Sequence, residues 1–444
     1  MKNIDIINHV KGESQFVDDI VAPENILYAS VAYSKIANGK ILELDTNAAK
    51  RLYGVKDVFT AEDIPGRNQI GGIIEDEELL ACGKVEFIGQ PVALVVADKK
   101  SFANKAASKI KIDCKELPAI TDPREAYKKG DLIIPPRTFS LGDTENNWDD
   151  CEFIVEATAE SGAQEHLYLE TQGAFAYPTE GNGIKIISST QAPTTVQKIA
   201  ATVLNLPMNK IEVDVLRIGG GFGGKEDQAT CWAVLAALGA YKTKRPVKLI
   251  LNRQEDIRLT GKRHPYSSDY KIGLSQAGKI ICYEVTIYQN AGAAADLSPA
   301  IMERTLFHCT NSYYIPNVKA TCISCKTNLP PNTAFRGFGG PQGMFVIESA
   351  IYKAAEKMNI EPSKIQKINL LVEGNEFPYG QLAENCNARK TWNHADKKYE
   401  IGKATREVKK FNKENDLYKK GIAVMPICFG ISFTNTSMNQ ASAL

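Results

Sequence analysis

The sequence lacks the features that mark nucleic-acid-binding and membrane proteins. Its 53 Lys and Arg residues are balanced by 52 Asp and Glu residues, so it has no basic excess to attract polyanions or anionic lipid. Its longest apolar run, residues 231–241, is well short of the roughly 20 residues of a membrane span. Residues 1–15 are polar and lack the apolar core of a signal peptide. We expect a cytoplasmic protein that binds neither nucleic acid nor membrane.

Clusters of metal-binding side chains are also missing. The 10 cysteines and 5 histidines are scattered, and only Cys322 and Cys325 form a C-x-x-C pair. That pair lies in an alternating, strand-like stretch that would direct the two thiols to opposite faces. The pattern therefore predicts neither a zinc site nor an iron–sulfur cluster held by this chain.

The arrangement of hydrophobic patterns predicts a mixed α/β or α+β protein of more than one domain. With 43% hydrophobic residues in 444, the chain can bury two cores. Residues 1–125 combine strands, such as 25–34 and 89–98, with a helix capped by Ser101. The polar stretch 126–150 is interpreted as a linker. A second domain is predicted over 151–375, and a connector leads from 376 to an apolar, β-like ending.

The motif GGGFGGKE at 219–226 satisfies two phosphate-binding patterns almost at once. A P-loop is disfavoured because Glu226 stands where a magnesium-binding Ser or Thr is needed. A dinucleotide fold is disfavoured because the loop lies in the second domain, without an evident acid about 20 residues further on. A strand before the loop and a buried helix after it still predict a general anion-binding turn.

A second glycine loop, AFRGFGGPQG at 334–343, repeats the GFGG core and also leads into a predicted helix. One such loop is most simply a tight turn. Two loops with the same core, both entering helices, favour a shared binding function. The alternative, that the glycines only form tight turns, stays open.

Four motifs in order resemble the molybdenum-binding subunit of the xanthine dehydrogenase and aldehyde oxidase family, most closely xanthine dehydrogenase. They are QEHLYLET at 164–171, STQ at 189–191 and the two glycine loops. The resemblance implies an α/β hammerhead domain over 1–125 and a first molybdopterin-binding domain over 151–375. Residues 376–444 would be a connector and the start of a second, truncated molybdopterin-binding domain.

The resemblance also implies roles for individual residues around a molybdopterin cofactor. Gln191, Phe222 and Arg336 would surround the molybdenum without ligating it, and Glu226, Arg304 and Gln191 would be the catalytic groups. Arg304 would lie on a helix whose N-cap is Ser298. The cofactor pocket would comprise Gly221, Phe222, Gly223, Gly224, Arg336 and Gly337, and the substrate pocket Phe338, Phe433 and Thr434.

The implied activity is hydroxylation of an electron-poor carbon of hypoxanthine or xanthine with oxygen derived from water. Electrons would pass to iron–sulfur clusters and FAD on partner subunits or domains, within a homodimeric complex. The family's catalytic glutamate belongs to a G-x-G-E motif that does not occur in these 444 residues. We therefore expect a fragment or one half of a split subunit, inactive by itself and completed by a C-terminal molybdopterin domain. The alternatives are an aldehyde or other N-heterocycle hydroxylase, or a non-catalytic module.

Overall fold

The computed structural model describes residues 5–21 and 23–430. Phe433, Thr434 and most of the expected start of a second molybdopterin-binding domain lie outside these residues.

The strands of the described chain form three sheets. The strand order is β11-β10-β9-β12-β1-β5-β3 in the seven-stranded sheet, β7-β15-β14-β13-β8 in the five-stranded sheet and β4-β2-β6 in the small one. The strands are β1 Leu27–Tyr33, β2 Gly39–Asp45, β3 Val55–Phe59, β4 Lys84–Val85, β5 Pro91–Ala97, β6 Lys111–Glu116, β7 Leu132–Leu141, β8 Phe153–Ser161, β9 Gly173–Thr179, β10 Gly183–Ser188, β11 Ile211–Asp214, β12 Val247–Ile250, β13 Tyr266–Leu274, β14 Ile280–Gly292 and β15 Asn317–Lys326.

Helices cover the sheets and connect their strands. In the described part of the chain, none is long and apolar enough to cross a membrane. The helices are α1 Ile6–Lys11, α2 Asn47–Lys50, α3 Lys100–Ala107, α4 Pro123–Lys129, α5 Pro193–Leu204, α6 Gln228–Thr243, α7 Arg253–Leu259, α8 Ser298–Phe307, α9 Gly340–Met358, α10 Pro362–Asn369, α11 Ala388–Tyr399 and α12 Ile401–Glu414.

Two predicted helix caps are wrong by one or two residues. Helix α3 has Lys99 as its N-cap, so Ser101 lies inside the first turn. Helix α8 has Leu297 as its N-cap and contains Ser298 as its first residue. In α8 the Ser298 hydroxyl contacts Nε2 of His264 at 2.7 Å, so a tertiary partner replaces the capping role expected from local sequence.

The seven-stranded sheet joins the N-terminal part of the chain to the part after residue 150. Strand β1 pairs in parallel with β12, with Leu27 opposite Val247, and antiparallel with β5 on its other side. One hydrophobic core therefore contains Leu94 of β5 together with Trp232 and Ala236 of α6. The fold mixes α and β elements as predicted, but a single sheet crosses the predicted boundary at residue 125.

The interpretation of 126–150 as a linker requires a correction. This stretch contains the end of α4 and all of β7, and β7 pairs antiparallel with β15, with Thr138 opposite Thr321. Strand β7 is at the edge of its sheet, where Pro135 and Pro136 are tolerated because an edge strand need not donate every N–H. Because proline disfavours strands, the two prolines led to the prediction of a linker where the structure has a strand.

The five-stranded sheet packs against α8 and α9. Its core includes Met302 and Leu306 of α8 and Ile347 of α9. Cys322 lies in this core, whereas Cys325 lies in a separate cluster with Ala126 and Ile323. The prediction that the two thiols point to opposite faces of one strand is confirmed.

Leu94→Ala tests whether the shared sheet is one cooperative unit. Leu94 is fully buried, so we expect a loss of about 2–5 kcal/mol in unfolding free energy. Because Leu94 and Trp232 share a core, amide hydrogen exchange should become faster in α6 as well as in β5. The control is Leu42→Ala, at a side chain that is 59% exposed. Faster exchange confined to residues before 125 would show two independent units.

Candidate functional site

The two glycine loops have the same backbone shape. The first lies between β11 and α6, and its Phe222 and Gly223 have φ of 56° and 98°. The second immediately precedes α9, and its Phe338 and Gly339 have φ of 50° and 96°. Positive φ is uncommon for phenylalanine, so the repeated sequence GFGG encodes a repeated and specific turn.

The loops contact each other directly. The N–H of Arg336 donates to the carbonyl oxygen of Phe222 at 2.8 Å. A Cβ added to Gly223 would lie 2.8 Å from both carbonyl atoms of Ala334, closer than carbon atoms approach without displacing the backbone. Glycine is therefore required at 223 by loop-to-loop packing as well as by φ. The two turns form one surface.

Alternate residues of the 164–172 segment support this surface from behind. Nε2 of His166 lies 2.7 Å from the carbonyl oxygen of Ala334 in the second loop. Nε2 of Gln172 donates to the carbonyl of Gly224 in the first loop at 2.8 Å. The intervening Leu167 and Leu169 are 65% and 93% exposed. The segment therefore faces the loops with every second side chain.

The lysine of GGGFGGKE points into the protein. Lys225 is fully buried and donates to the Ser189 hydroxyl at 2.6 Å and the Glu170 carbonyl at 2.8 Å. Burial lowers the pKa of Lys225 to about 8, partly opposed by attraction to Glu170. A P-loop lysine must face its phosphate, so this orientation excludes that interpretation by geometry.

Gln191 is fixed against the first loop through its side-chain oxygen. Its Oε1 accepts from the N–H of Gly223 at 3.0 Å and from that of Lys225 at 3.2 Å. The N–H of Gly223 is therefore already engaged. Since an amide oxygen that accepts twice leaves the NH₂ group as the free end, Nε2 of the exposed Gln191 is the donor available to a ligand.

The first loop has further backbone donors on residues that differ in exposure: Gly220 is half-buried, Gly221 is buried and Phe222 is exposed. The backbone N–H groups of Gly220, Gly221 and Phe222 have no acceptor within residues 5–21 and 23–430. The guanidinium of Arg336 is exposed and has no hydrogen-bond partner in the same ranges. Successive N–H groups on a turn with alternating φ form an anion-binding concavity. Gly221, Phe222, Arg336 and Gln191 thus lie close together, and their contact with one ligand stays a prediction.

Predicted cofactor residues Gly224 and Gly337 have a different immediate role. A Cβ on Gly224 would lie 2.6 Å from the His166 ring, and one on Gly337 would lie 2.4 Å from the Pro341 ring. Both glycines are required by packing within the protein. Their contribution to a ligand is therefore the shape of the turns.

Arg304 and Phe338 form a second part of the site. Arg304, on α8, is 6% exposed, and its guanidinium lies 5.8 Å from the Phe338 ring and 5.2 Å from the Phe429 ring. Burial lowers the pKa of Arg304, although a guanidinium stays charged near neutral pH. The hydroxyl of Thr305 donates to the Gly339 carbonyl at 3.2 Å, which attaches the second loop to α8.

Glu226 is the last residue of the first glycine motif and lies near two other acids, Asp227 and Asp296. Burial, with repulsion from Asp227, raises the pKa of Glu226 to about 7. Burial also raises the pKa of Asp227 and Asp296. Nε2 of Gln228 donates to Asp296 at 2.8 Å, which links the start of α6 to the residues before α8. Glu226 makes no ion pair with a described residue, so it does not pair with Arg304.

The supporting residues behind the loops were not assigned from sequence. They are His166, Tyr168, Glu170, Gln172 and Lys225. Their signal was the strict alternation of QEHLYLETQ, in which polar or aromatic residues alternate with the exposed Leu167 and Leu169. Among the described residues, no group of three His, Cys, Asp or Glu side chains is placed to hold a metal ion.

Comparison with protein-family models identifies two adjoining regions. Residues 127–370 match the molybdopterin cofactor-binding domain. Residues 11–118 match the aldehyde oxidase and xanthine dehydrogenase a/b hammerhead domain. Both glycine loops, Gln191 and Arg304 lie within the first region.

Curated relatives and solved structures agree with the family models. The chain is 42% identical over 439 residues to xanthine dehydrogenase 1 of Arabidopsis thaliana and 40% identical over 436 residues to mouse xanthine dehydrogenase/oxidase. Each match includes 98% of this chain but only 32% of the relative. The chain therefore spans about a third of the relatives' length. The structure of aldehyde oxidoreductase from Desulfovibrio gigas matches 93% of this chain and 47% of that one, with 26% identity and a TM-score of 0.86.

Glu226→Gln tests the protonation of the acid beside the first loop. The pKa of Glu226 is about 7 in the folded chain and near 4.5 in the unfolded chain. The protonated carboxyl group therefore contributes its full stability below pH 4.5, and this contribution to the free energy of unfolding is lost as the pH rises through about 7. Gln stays neutral throughout. We expect the variant to match the unchanged chain at pH 4.5 and to be more stable by about 1–3 kcal/mol at pH 8, measured by urea unfolding. Exposed Glu407→Gln is the control; a pH-independent difference would refute the assignment.

Proposed function

Because this chain belongs to the xanthine dehydrogenase and aldehyde oxidase family of molybdopterin cofactor-binding proteins, we propose that it forms part of a purine hydroxylase. In this proposal the chain holds one side of the molybdopterin cofactor and orients hypoxanthine or xanthine for hydroxylation with oxygen from water. The cofactor, when bound, supplies the two-electron redox chemistry. The remaining chemistry derives from groups of this chain.

The observation that carries the proposal is the row of N–H donors on the first loop. Gly220, Gly221 and Phe222 have successive N–H groups without an acceptor among the described residues, and the Gln191 side chain packs against Gly221. A group with anionic oxygens or a metal-oxo edge fits such donors, because fixed backbone dipoles require no reorganisation when charge develops. The exposed guanidinium of Arg336 adds a positive charge at the same surface. The donor set therefore suits molybdopterin held through hydrogen bonds rather than through metal-ligating side chains.

Glu226 and Arg304 would hold the substrate at its two edges. A carboxyl group whose pKa is about 7 exists in both forms near neutral pH, so it can donate to or accept from a ring nitrogen or exocyclic oxygen. The Arg304 guanidinium would stabilise negative charge that develops on the opposite edge. Phe338, together with Phe433 outside the described residues, would hold the flat ring between aromatic faces, and Thr434 would add a substrate contact.

The rest of the catalytic apparatus is proposed to lie on other domains or subunits. Electrons would leave through iron–sulfur clusters and FAD to an acceptor, and the complete assembly would be a cytoplasmic homodimer. The catalytic base would also come from elsewhere, since these 444 residues contain no G-x-G-E motif. The described residues alone would then bind and orient without turnover, because acid–base assistance is worth about 10²–10⁴ in rate.

Glu226→Val with Arg304→Met tests the proposed substrate in the assembled enzyme. A small aldehyde needs no polar contact at two edges, whereas a purine uses both. Losing one such electrostatic contact costs roughly 3–4 kcal/mol of barrier, so purine kcat/KM should fall by several orders of magnitude and aldehyde kcat/KM much less.

The control for this test is an exposed pair, Glu407→Val with Arg258→Met, measured at equal molybdenum content. Equal losses on both substrate classes would contradict purine selection by these residues. Aldehyde turnover that exceeds purine turnover in the unchanged enzyme would favour the alternative aldehyde hydroxylase.

A further inference from the structure

An extended segment after α12, residues 421–430, is held against α8, α9 and α10 by side chains rather than by a strand. We call it the strap. Val424, Pro426 and Cys428 are half-buried, and the residues between them, Met425 and Ile427, are exposed. The contacts are Gln366 Nε2 to the Val424 carbonyl at 2.7 Å, Asn311 Nδ2 to the Pro426 carbonyl at 2.7 Å, the Cys428 N–H to Asn311 Oδ1 at 3.2 Å, the Gly430 N–H to His308 Nε2 at 3.2 Å, and Arg304 Nη1 to the Gly430 carbonyl.

Asn311 makes two of these contacts with one carboxamide. It lies four residues after the end of α8, is 2% exposed and has φ of 47°, a region that asparagine tolerates better than most residues. Its NH₂ group donates to Pro426 and its oxygen accepts from Cys428. The side chain thus pairs with the strap as a neighbouring strand would, and it fixes the register of residues 426–428.

A buried acid orients Asn311. Oε1 of Glu348, on α9, accepts from Nδ2 of Asn311 at 3.0 Å and from the Tyr313 hydroxyl at 2.6 Å. Oε2 of Glu348 accepts from Gln366 at 2.8 Å. Glu348 therefore directs both amides that donate to the strap. With three donors, its buried carboxyl group is satisfied.

The end of the strap lies at Arg304. The Gly430 carbonyl accepts from the guanidinium, and the Phe429 ring lies 5.2 Å from it. A Cβ on Gly340, the first residue of α9, would come within 2.7 Å of the Phe429 ring, so the ring fits closely over the second glycine loop. A shift of the strap by one residue would move Phe429 and the Gly430 carbonyl away from Arg304 and remove these contacts.

We propose that Asn311 is a positioning residue for the Arg304 side of the substrate site, acting by holding the strap in register. The role in catalysis depends on the proposed function, whereas the structural role does not. Asparagine is specifically needed because the strap requires a donor and an acceptor from one side chain. Aspartate keeps the shape but loses the donor to Pro426 and places a second carboxylate against Glu348.

Site-resolved thiol labelling of the full 444-residue chain tests this inference, with N-ethylmaleimide as the probe and mass spectrometry as the readout. Cys428 is the reporter, exposed Cys82 is the reference, and fully buried Cys322 reports global unfolding. In Asn311→Asp and Asn311→Ala we expect Cys428 to label about tenfold faster, since at least one buried hydrogen bond is lost. Cys82 should be unchanged and Cys322 should stay protected.

The matched control is Asn359→Asp, the same change at an exposed asparagine with φ of 54°, which should leave Cys428 labelling unchanged. An unchanged Cys428 rate in both Asn311 variants would overturn the inference. A rise of Cys428 only together with Cys322 would do the same, because it would reveal loss of the whole fold.

The assembled enzyme separates this inference from the proposed function. Asn311→Asp should lower purine kcat/KM at least about tenfold at unchanged molybdenum content, in parallel with the faster Cys428 labelling. If labelling changes but the unchanged enzyme has no purine activity, the strap contact stands and the proposed function fails. If purine kcat/KM is unchanged while labelling is faster, Asn311 is not a positioning residue for catalysis.

Discussion

The buried contact between Lys225 and Glu170 determines the shape of the site. Oε2 of Glu170 accepts from the N–H of Gly219 at 2.8 Å and lies 3.4 Å from the Lys225 ammonium. One carboxylate therefore binds both ends of the first glycine loop. Lys225 also lies 4.5 Å from the Tyr168 ring. Removing either partner of a buried ion pair leaves an uncompensated charge and typically lowers the free energy of unfolding by about 3–5 kcal/mol. The pair therefore stabilises this shape of the loop.

Because the lysine and the acid satisfy each other inside the protein, the outer side of the loop is left to backbone donors. Gln191 completes this arrangement, since its oxygen is used by the loop and its NH₂ group is directed away from it. The second loop is then positioned by contact with the first and by Thr305 of α8. Helix α8 also contains Arg304, which contacts the strap at Gly430. The two halves of the site are thus one connected structure.

Local sequence predicted the parts of the fold whose patterns are strong. Strand β5 and helix α6 are continuous apolar stretches bounded by turns, and both lie where their patterns indicated. Strand β7 was missed because Pro135 and Pro136 disfavour a strand locally, and its pairing with β15 joins residues almost 200 positions apart. The parallel pairing of β1 with β12 was hidden for the same reason: no local pattern reports a partner 220 residues away.

The candidate site could be recognised before it could be explained. The glycine loops and STQ identified the surface, and the structure assembles Gln191, Phe222 and Arg336 on it. The direction of Lys225 could not be read from GGGFGGKE, because burial and a partner at Glu170 decide it. The use of the Gly223 N–H by Gln191 is likewise a tertiary contact. The strap has no sequence signal, since its pairing partners are side chains scattered over α8, α10 and the turn after α8.

The proposed cofactor position is on the exposed side of the first loop, opposite Lys225. The most direct measurement is anomalous diffraction at the molybdenum absorption edge from crystals of the assembled protein. We expect a single peak per chain beside Nε2 of Gln191 and the N–H of Phe222. A peak on the Lys225 side, or none near either loop in protein shown by elemental analysis to contain molybdenum, would contradict it.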